Sequence, residues 1–286
     1  MRAKGWILVS PASRGIGHAL TRHLLRTQAT HEILATTRSA DDSSLRASLL
    51  ADMPSSAEAR LRTVTGCDVT DEDSVRRLAA LAVRYFPLSS YRLHLACVLP
   101  GLLRVEKALR DVDVDAALQS FRVNAIGPLI MAKHFFPLLP RRIHLEDRLP
   151  SPDHDSTTTT TTPDPDAVLP LPPHATFLTV AARVGSTSDN RSGGWFSYRA
   201  SKAAVFSLAR SLDLSLQANC GDAALAIAYH PGTVRTDFTR QFWHSVPEHR
   251  LFTPQFAAER LMRLVCGLSP QQRGKCWDWQ GLEVPP

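Results

Sequence analysis

The sequence is short of the features that mark membrane, secreted or nucleic-acid-binding chains. Only 5 of its 286 residues are cysteine, an odd number scattered from Cys67 to Cys276. Such spacing builds neither a disulfide framework nor a zinc site, and it favours a reducing compartment. Nowhere do about 18 apolar residues run together, so a spanning helix is excluded. The first ten residues hold one four-residue apolar run before Ser10-Pro11, too short for a secretory leader. The expectation is a cytoplasmic chain without a membrane partner. No run of five like charges occurs, and arginines do not alternate with aromatics. The formal charge of +6 therefore reads as a solvated basic surface that tolerates small anions, not as a nucleic-acid-binding face.

What the sequence does contain is ordinary globular material, 44% hydrophobic and 21% charged. Short apolar runs predict strands at Trp6–Ser10, Glu32–Thr36, Leu61–Cys67, Arg92–Cys97, Thr176–Ala181 and Leu225–Tyr229. Several are apolar throughout, as strands covered on both faces are. Between them, helices are predicted at Gly17–Gln28, Leu45–Ala51, Ser74–Phe86, Val114–Leu139, Ser197–Asn219 and Gln255–Cys266. Thr70 reads as the cap of the third helix, and Thr253-Pro254 opens the last one. Lys275–Trp279 adds an edge strand. This alternation gives one α/β domain spanning residues 1–286, a doubly wound parallel sheet (a Rossmann fold) of about seven strands. Arg141–Pro173 does not fit the alternation. It holds seven prolines and the Thr157–Thr162 run, a composition that reads as a disordered surface insertion without catalytic function.

Two groups of residues carry chemistry. The first strand runs into Ser10-Pro-Ala-Ser13-Arg14-Gly15-Ile16-Gly17 and directly into a helix. Glycines at that turn let backbone approach a pyrophosphate, and the helix start offers amides. At the end of the second strand stands Arg38, where an acidic residue would bind a ribose hydroxyl and an arginine accommodates a 2′-phosphate. Arg14 and Arg38 thus favour NADP(H) over NAD(H). Asp68 follows the third strand as an acceptor for adenine or as a helix cap. In the second group, Tyr198 and Lys202 lie one turn apart on a helix face, so an ammonium can stabilise a phenolate and lower the tyrosine pKa. That pair makes a general acid or base for a carbonyl/alcohol couple. His230 and the cysteines read as structural.

Gly15-Ile-Gly17, Asp68-Val69, Asn124-Ala-Ile-Gly127, Tyr198-x-x-x-Lys202 and Pro231-Gly232-Thr-Val234-Arg-Thr236 stand in one order. In that order the chain resembles the short-chain dehydrogenase/reductases. Ala182-Arg-Val-Gly-Ser186 and Asp278-Trp-Gln-Gly281 resemble their C-factor-like branch, with a fungal member as the expectation. The resemblance implies that Tyr198 donates a proton to a substrate carbonyl and that Lys202 binds the nicotinamide ribose. It implies that Asn124 holds a relay water and that Pro231, Gly232, Val234 and Thr236 hold the carboxamide end. It also implies a homodimer or homotetramer built on the long helices.

Two departures from that family stand out. The glycine loop has Ser10-Pro11 where Thr-Gly is usual, and Ala182 occupies the position of the usual serine. Ser186 is the candidate substitute, against the simpler reading of a loop serine. Asp189–Phe196 and the aromatic stretch Asp237–Phe252 (Phe238, Phe242, Trp243, Phe252) are expected to line the site of a small, largely apolar substrate. The alternative to an enzyme is an NADP(H)-binding sensor with weakened catalysis.

Overall fold

The computed structural model describes residues 3–141 and 169–286. In chain order the elements are β1 (Lys4–Ser10), α1 (Gly15–Thr27), β2 (Glu32–Thr36), α2 (Asp42–Leu50), α3 (Ser55–Arg60), β3 (Leu61–Val64), α4 (Glu72–Tyr85) and β4 (Tyr91–Val98). There follow α5 (Val114–Phe121), α6 (Gly127–Phe135), β5 (Ala175–Val180), α7 (Phe196–Cys220) and β6 (Ala224–His230). The chain closes with β7 (Thr233–Val234), β8 (Leu251–Phe252), α8 (Pro254–Gly267), β9 (Cys276–Asp278) and β10 (Glu283–Val284).

Eight strands form one sheet in the order β10-β9-β6-β5-β4-β1-β2-β3, while β7 and β8 pair separately. All sheet pairs are parallel except β10 on β9. The apolar strands behave as their composition requires. Along β1, Ile7 and Val9 pack under α1 and α8 with Leu20, Leu24, Leu261 and Val265. Trp6 and Leu8 face the other side, with Val75, Leu78, Met131, Phe135 and Leu216. Alternate residues thus feed two cores, and helices cover both faces. Strand order reverses between β1 and β4, which opens a crevice at the carboxyl ends of these strands.

Among the described residues the sheet has eight strands, in keeping with the expected seven or so, with the short β10 added at the edge beside β9. Several expectations need correction. Helix α3 and the β7/β8 pair carry too few residues for a periodic signal. The helix expected over residues 114–139 is broken by a π-helical turn at Arg122–Ile126 and ends in a 3₁₀ turn at Phe136–Leu138. The cap of α4 is Asp71, which accepts from the Asp73 amide at 3.1 Å. Thr70 instead donates through its amide and hydroxyl to Asp68 at 2.8 and 2.7 Å. The Thr253 cap stands as expected. Residues 142–168 of the expected insertion lie outside the described residues. At its described end Leu169, Pro170 and Pro173 are exposed, while Leu171 and Pro172 are buried. There, Gln28 Nε2 donates to the Leu169 carbonyl at 2.9 Å. Four of the cysteines are buried and Cys266 is partly exposed. Among the described residues, no helix is long and apolar enough to cross a membrane.

Candidate active site

The expected site residues gather at the carboxyl ends of the parallel strands. Arg14 stands just ahead of α1, whose amino end has no capping side chain and no acid in its first turn. Those uncapped amides and the helix dipole leave a positive end that suits an anion. Gly15 holds φ +57°, and a Cβ there would stand 3.2 Å from the Thr236 methyl. The glycine loop and the 231–236 segment therefore touch. Gly17 comes so near the Pro11 carbonyl that a Cβ would lie 1.9 Å from its oxygen. Ser13, Arg14 and Arg38 are exposed. Neither guanidinium forms a hydrogen bond or ion pair with the described residues.

Other members of the expected cofactor set face inward. Ser10 is buried, and its hydroxyl accepts from Thr36 Oγ1 at 2.8 Å. Val69 packs against Gly127, where a Cβ would meet its side chain at 2.7 Å. Burial raises the Asp68 carboxyl, but the Thr70 amide and hydroxyl and the nearby Arg38 outweigh it and hold the group below its usual range.

At the other end, α7 presents Tyr198 and Lys202 from its first two turns, both buried. Lys202 Nζ donates to the Val180 carbonyl at 2.8 Å, the last residue of β5. Burial opposes the lowering of the phenol expected from Lys202. Burial dominates and pushes the Tyr198 phenol up, while burial draws the Lys202 ammonium down to about 8. Gly185 admits the close passage of α7, since a Cβ would stand 2.6 Å from the Lys202 carbonyl carbon.

Asn124 sits on the π-helical turn, fully buried. Its side chain clasps Leu102, accepting from the amide at 2.7 Å and donating to the carbonyl at 2.8 Å. It also donates to Ser201 Oγ on α7 at 3.0 Å. Ser186 is buried, and its hydroxyl accepts from the Asp189 amide at 3.0 Å. Ala182 is extended and only leads into the 3₁₀ turn Arg183–Gly185. Arg183 bridges Asp189 and the buried Asp278. His230 Nδ1 is buried and has no hydrogen-bond partner among the described residues. Burial, aided by Arg183, holds that imidazole down at about 4.

The aromatic stretch divides. Phe238 lies 6.3 Å from the Tyr198 ring, and Phe242 lies 5.0 Å from Trp195, which meets Tyr198 edge-on at 6.2 Å. Trp243 instead takes Arg235 and Arg240 on its ring. Phe252 joins Phe256 and Trp279, so these two are packing residues rather than walls of the Tyr198 site. Sequence reading missed Glu106. It comes from the loop after β4 and meets the start of α7, where its carboxylate accepts from the Ser197 amide at 2.9 Å. No local spacing signals a contact across 91 residues.

Residues 12–144 match a family model described as Enoyl-(Acyl carrier protein) reductase. A 1-hydroxy-2-glutathionyl-2-methyl-3-butene dehydrogenase of Rhodococcus sp. (strain AD45) is 28% identical over 270 residues, 94% of each chain. C-signal of Myxococcus xanthus is 29% identical over 178 residues, 62% of this chain and 83% of that one. The expectation of a fungal member is not borne out. Among solved structures, the NADPH-bound carbonyl reductase from chicken fatty liver aligns over 100% of both chains, with TM-score 0.77 and 22% identity. The carbonyl reductase Sniffer of D. melanogaster does so with TM-score 0.76 and 18% identity. These likenesses show the fold, a doubly wound α/β sheet.

Proposed function

We propose that this chain is an NADP(H)-dependent oxidoreductase that interconverts a carbonyl and an alcohol on a small, largely apolar substrate. The observation that carries the reading is the buried Tyr198/Lys202 pair on α7 beside β5, in the same crevice edge as the contact between Gly15 and Thr236. The residues fit the cofactor. The uncapped start of α1 with Ser13, Gly15, Ile16 and Gly17 suits a pyrophosphate, and the exposed Arg14 and Arg38 suit a 2′-phosphate. Asp68 and Val69 would border the adenine, with Ser10 supporting the loop from inside. Pro231, Gly232, Val234 and Thr236 would hold the carboxamide end.

When bound, this cofactor supplies hydride to the carbonyl carbon. The chain's own part is the proton. Tyr198 is held protonated by burial, and its hydroxyl is given the role of donor to the carbonyl oxygen. Lys202, charged below about 8, stabilises the phenolate left behind, and Asn124 braces the turn that faces this pair. Trp195 and Phe238 exclude water from the phenol. The test is NADPH oxidation across aldehydes, ketones and quinones. Tyr198→Phe should lower kcat by about 10²–10⁴-fold while NADPH still binds; equal rates reject the assignment.

A second reading, an NADP(H)-binding sensor with weak turnover, is favoured by Ala182. Without a hydroxyl there, the substrate oxygen loses a donor of a kind worth about 2.7–4 kcal/mol. Ser186, the candidate substitute, accepts from the Asp189 amide and keeps its O–H free to donate. Ala182→Ser should then raise kcat, and no gain over a measurable wild-type rate argues against this reading. Exposed Val114, Leu118, Ile126, Leu129 and Leu214 on α5 to α7 support a homodimer. The five free cysteines support the cytoplasm as its compartment.

A further inference from the structure

We infer that Glu106 is a positioning residue for Tyr198, an inference that rests on the reading of Tyr198 as proton donor. Helix α7 begins at Phe196 immediately after Trp195, which adopts φ +51° and offers no side-chain cap. First-turn amides so placed need acceptors from elsewhere. One residue serves two of the amides at this end. The Glu106 carboxylate accepts from both the amide and the hydroxyl of Ser197, and its main-chain carbonyl accepts from the Trp195 amide at 2.7 Å. The two residues bonded lie one and three positions ahead of Tyr198.

The carboxylate is itself buried, 5% exposed, and forms no ion pair with the described residues. A buried carboxylate without a cation is costly, and here only the Ser197 donors and the positive end of a 25-residue helix offset that cost. An ordinary Asp or Ser at the N-cap would satisfy amides without joining α7 to anything else. Glu106 does join it, because the loop that carries it is also clasped at Leu102 by Asn124. Asn124 in turn reaches Ser201, whose hydroxyl donates to the Tyr198 carbonyl at 2.9 Å. The main chain of Tyr198 is thereby fixed to one loop from upstream through Glu106 and from downstream through Asn124 and Ser201. The phenol inherits its place over the substrate from this frame.

The experiment compares wild type with Glu106→Gln, Ser197→Ala and the double variant. It measures NADPH affinity by fluorescence, kcat and KM for an aromatic quinone, and hydrogen exchange of residues 195–202 without substrate. Misplacement by a fraction of an ångström to 1 Å predicts a kcat loss of about 10–100-fold in Glu106→Gln, with KM and NADPH affinity changed by no more than about threefold. Ser197→Ala should lose less, the double variant no more than Glu106→Gln, and exchange at 195–202 should quicken. An unchanged kcat in Glu106→Gln, or NADPH affinity falling in step with kcat, overturns the inference. If Glu106→Gln does not fold, Ser197→Ala with wild-type kcat and exchange overturns it. A wild type that reduces no carbonyl refutes the enzymatic reading separately. The exchange data then decide the clasp, with faster exchange supporting it and unchanged exchange sinking it.

Discussion

The ammonium of Lys202 lies wholly inside the protein against the Val180 carbonyl, and burial brings its pKa to about 8. A lowered lysine pKa means that the charged form is lost as pH rises through that value. We therefore expect kcat for carbonyl reduction to fall above pH about 8. A pH–rate profile checks this, and in Lys202→Arg, whose cation does not titrate there, the limb should vanish at whatever rate remains. A different kind of constraint acts at Gly17. A Cβ 1.9 Å from the Pro11 oxygen cannot be accommodated without moving backbone. Gly17→Ala should destabilise by about 1–3 kcal/mol and weaken NADPH binding at least about tenfold, measured by denaturation and fluorescence titration. The proposed roles of Tyr198, Lys202 and Gly17 were legible, because fixed local spacing on a turn or helix suggests them. Glu106 was not, because its partner at Ser197 comes from a distant part of the chain. The inward turn of Ser10 is hidden for the same reason: its partner Thr36 comes from another strand and leaves no mark beside it.

Elements were legible in proportion to their length and periodicity. Strand β2 has the bounds its apolar run predicts, and the other long elements differ at their ends. The π-helical turn leaves no mark in the periodicity of Arg122–Ile126, which contains no breaker, and only the family resemblance implied an irregularity at Asn124. Asn124 points out of that turn because the extra residue per turn rotates it toward Leu102 and Ser201. Helix α7 also shows how an element is anchored far from the reaction. Asp213 is fully buried on it and pairs with Arg273 at 2.9 Å while accepting from the Ala226 amide at 3.0 Å. Removing one partner leaves the other charge buried. Asp213→Ala should cost about 3–5 kcal/mol in chemical denaturation, and a cost under about 1 kcal/mol would contradict the structure.

Across the whole molecule, buried histidines set the response to acid. His31 Nε2 meets His94 Nδ1 at 2.8 Å, and His94 Nε2 meets the Pro172 carbonyl at 2.8 Å. Burial, aided by Arg60 and by His31 respectively, holds these rings down at about 4 and about 3. Burial also holds His174 and His230 at about 4. A histidine whose folded pKa is lowered stabilises the protein above its unfolded value near 6.5, and that contribution drains away as pH falls toward the folded pKa. Stability should be maximal near neutrality and drop by several kcal/mol, on the order of 2 for each histidine, between pH 6.5 and 4.5. Denaturant titrations at these two pH values measure it, and equal midpoints would refute it. The same scale governs assembly. The exposed leucines and valines of α5 to α7 should bring two copies together in sedimentation, and Leu118→Lys with Leu129→Lys should return the protein to monomers.

The sequence by itself determined the alternation of strands and helices, the doubly covered sheet, and the placement of the glycine loop, Arg38, Tyr198 and Lys202, because periodicity and short spacing are local properties. The tertiary structure decided which of those groups meet. It brought Gly15 against Thr236, turned Phe252 away from the Tyr198 site, raised the phenol where the helix spacing alone had predicted a lowering, and brought Glu106 to the start of α7. Each of these depends on burial or on contact between distant parts of the chain. Neither is a function of neighbouring residues.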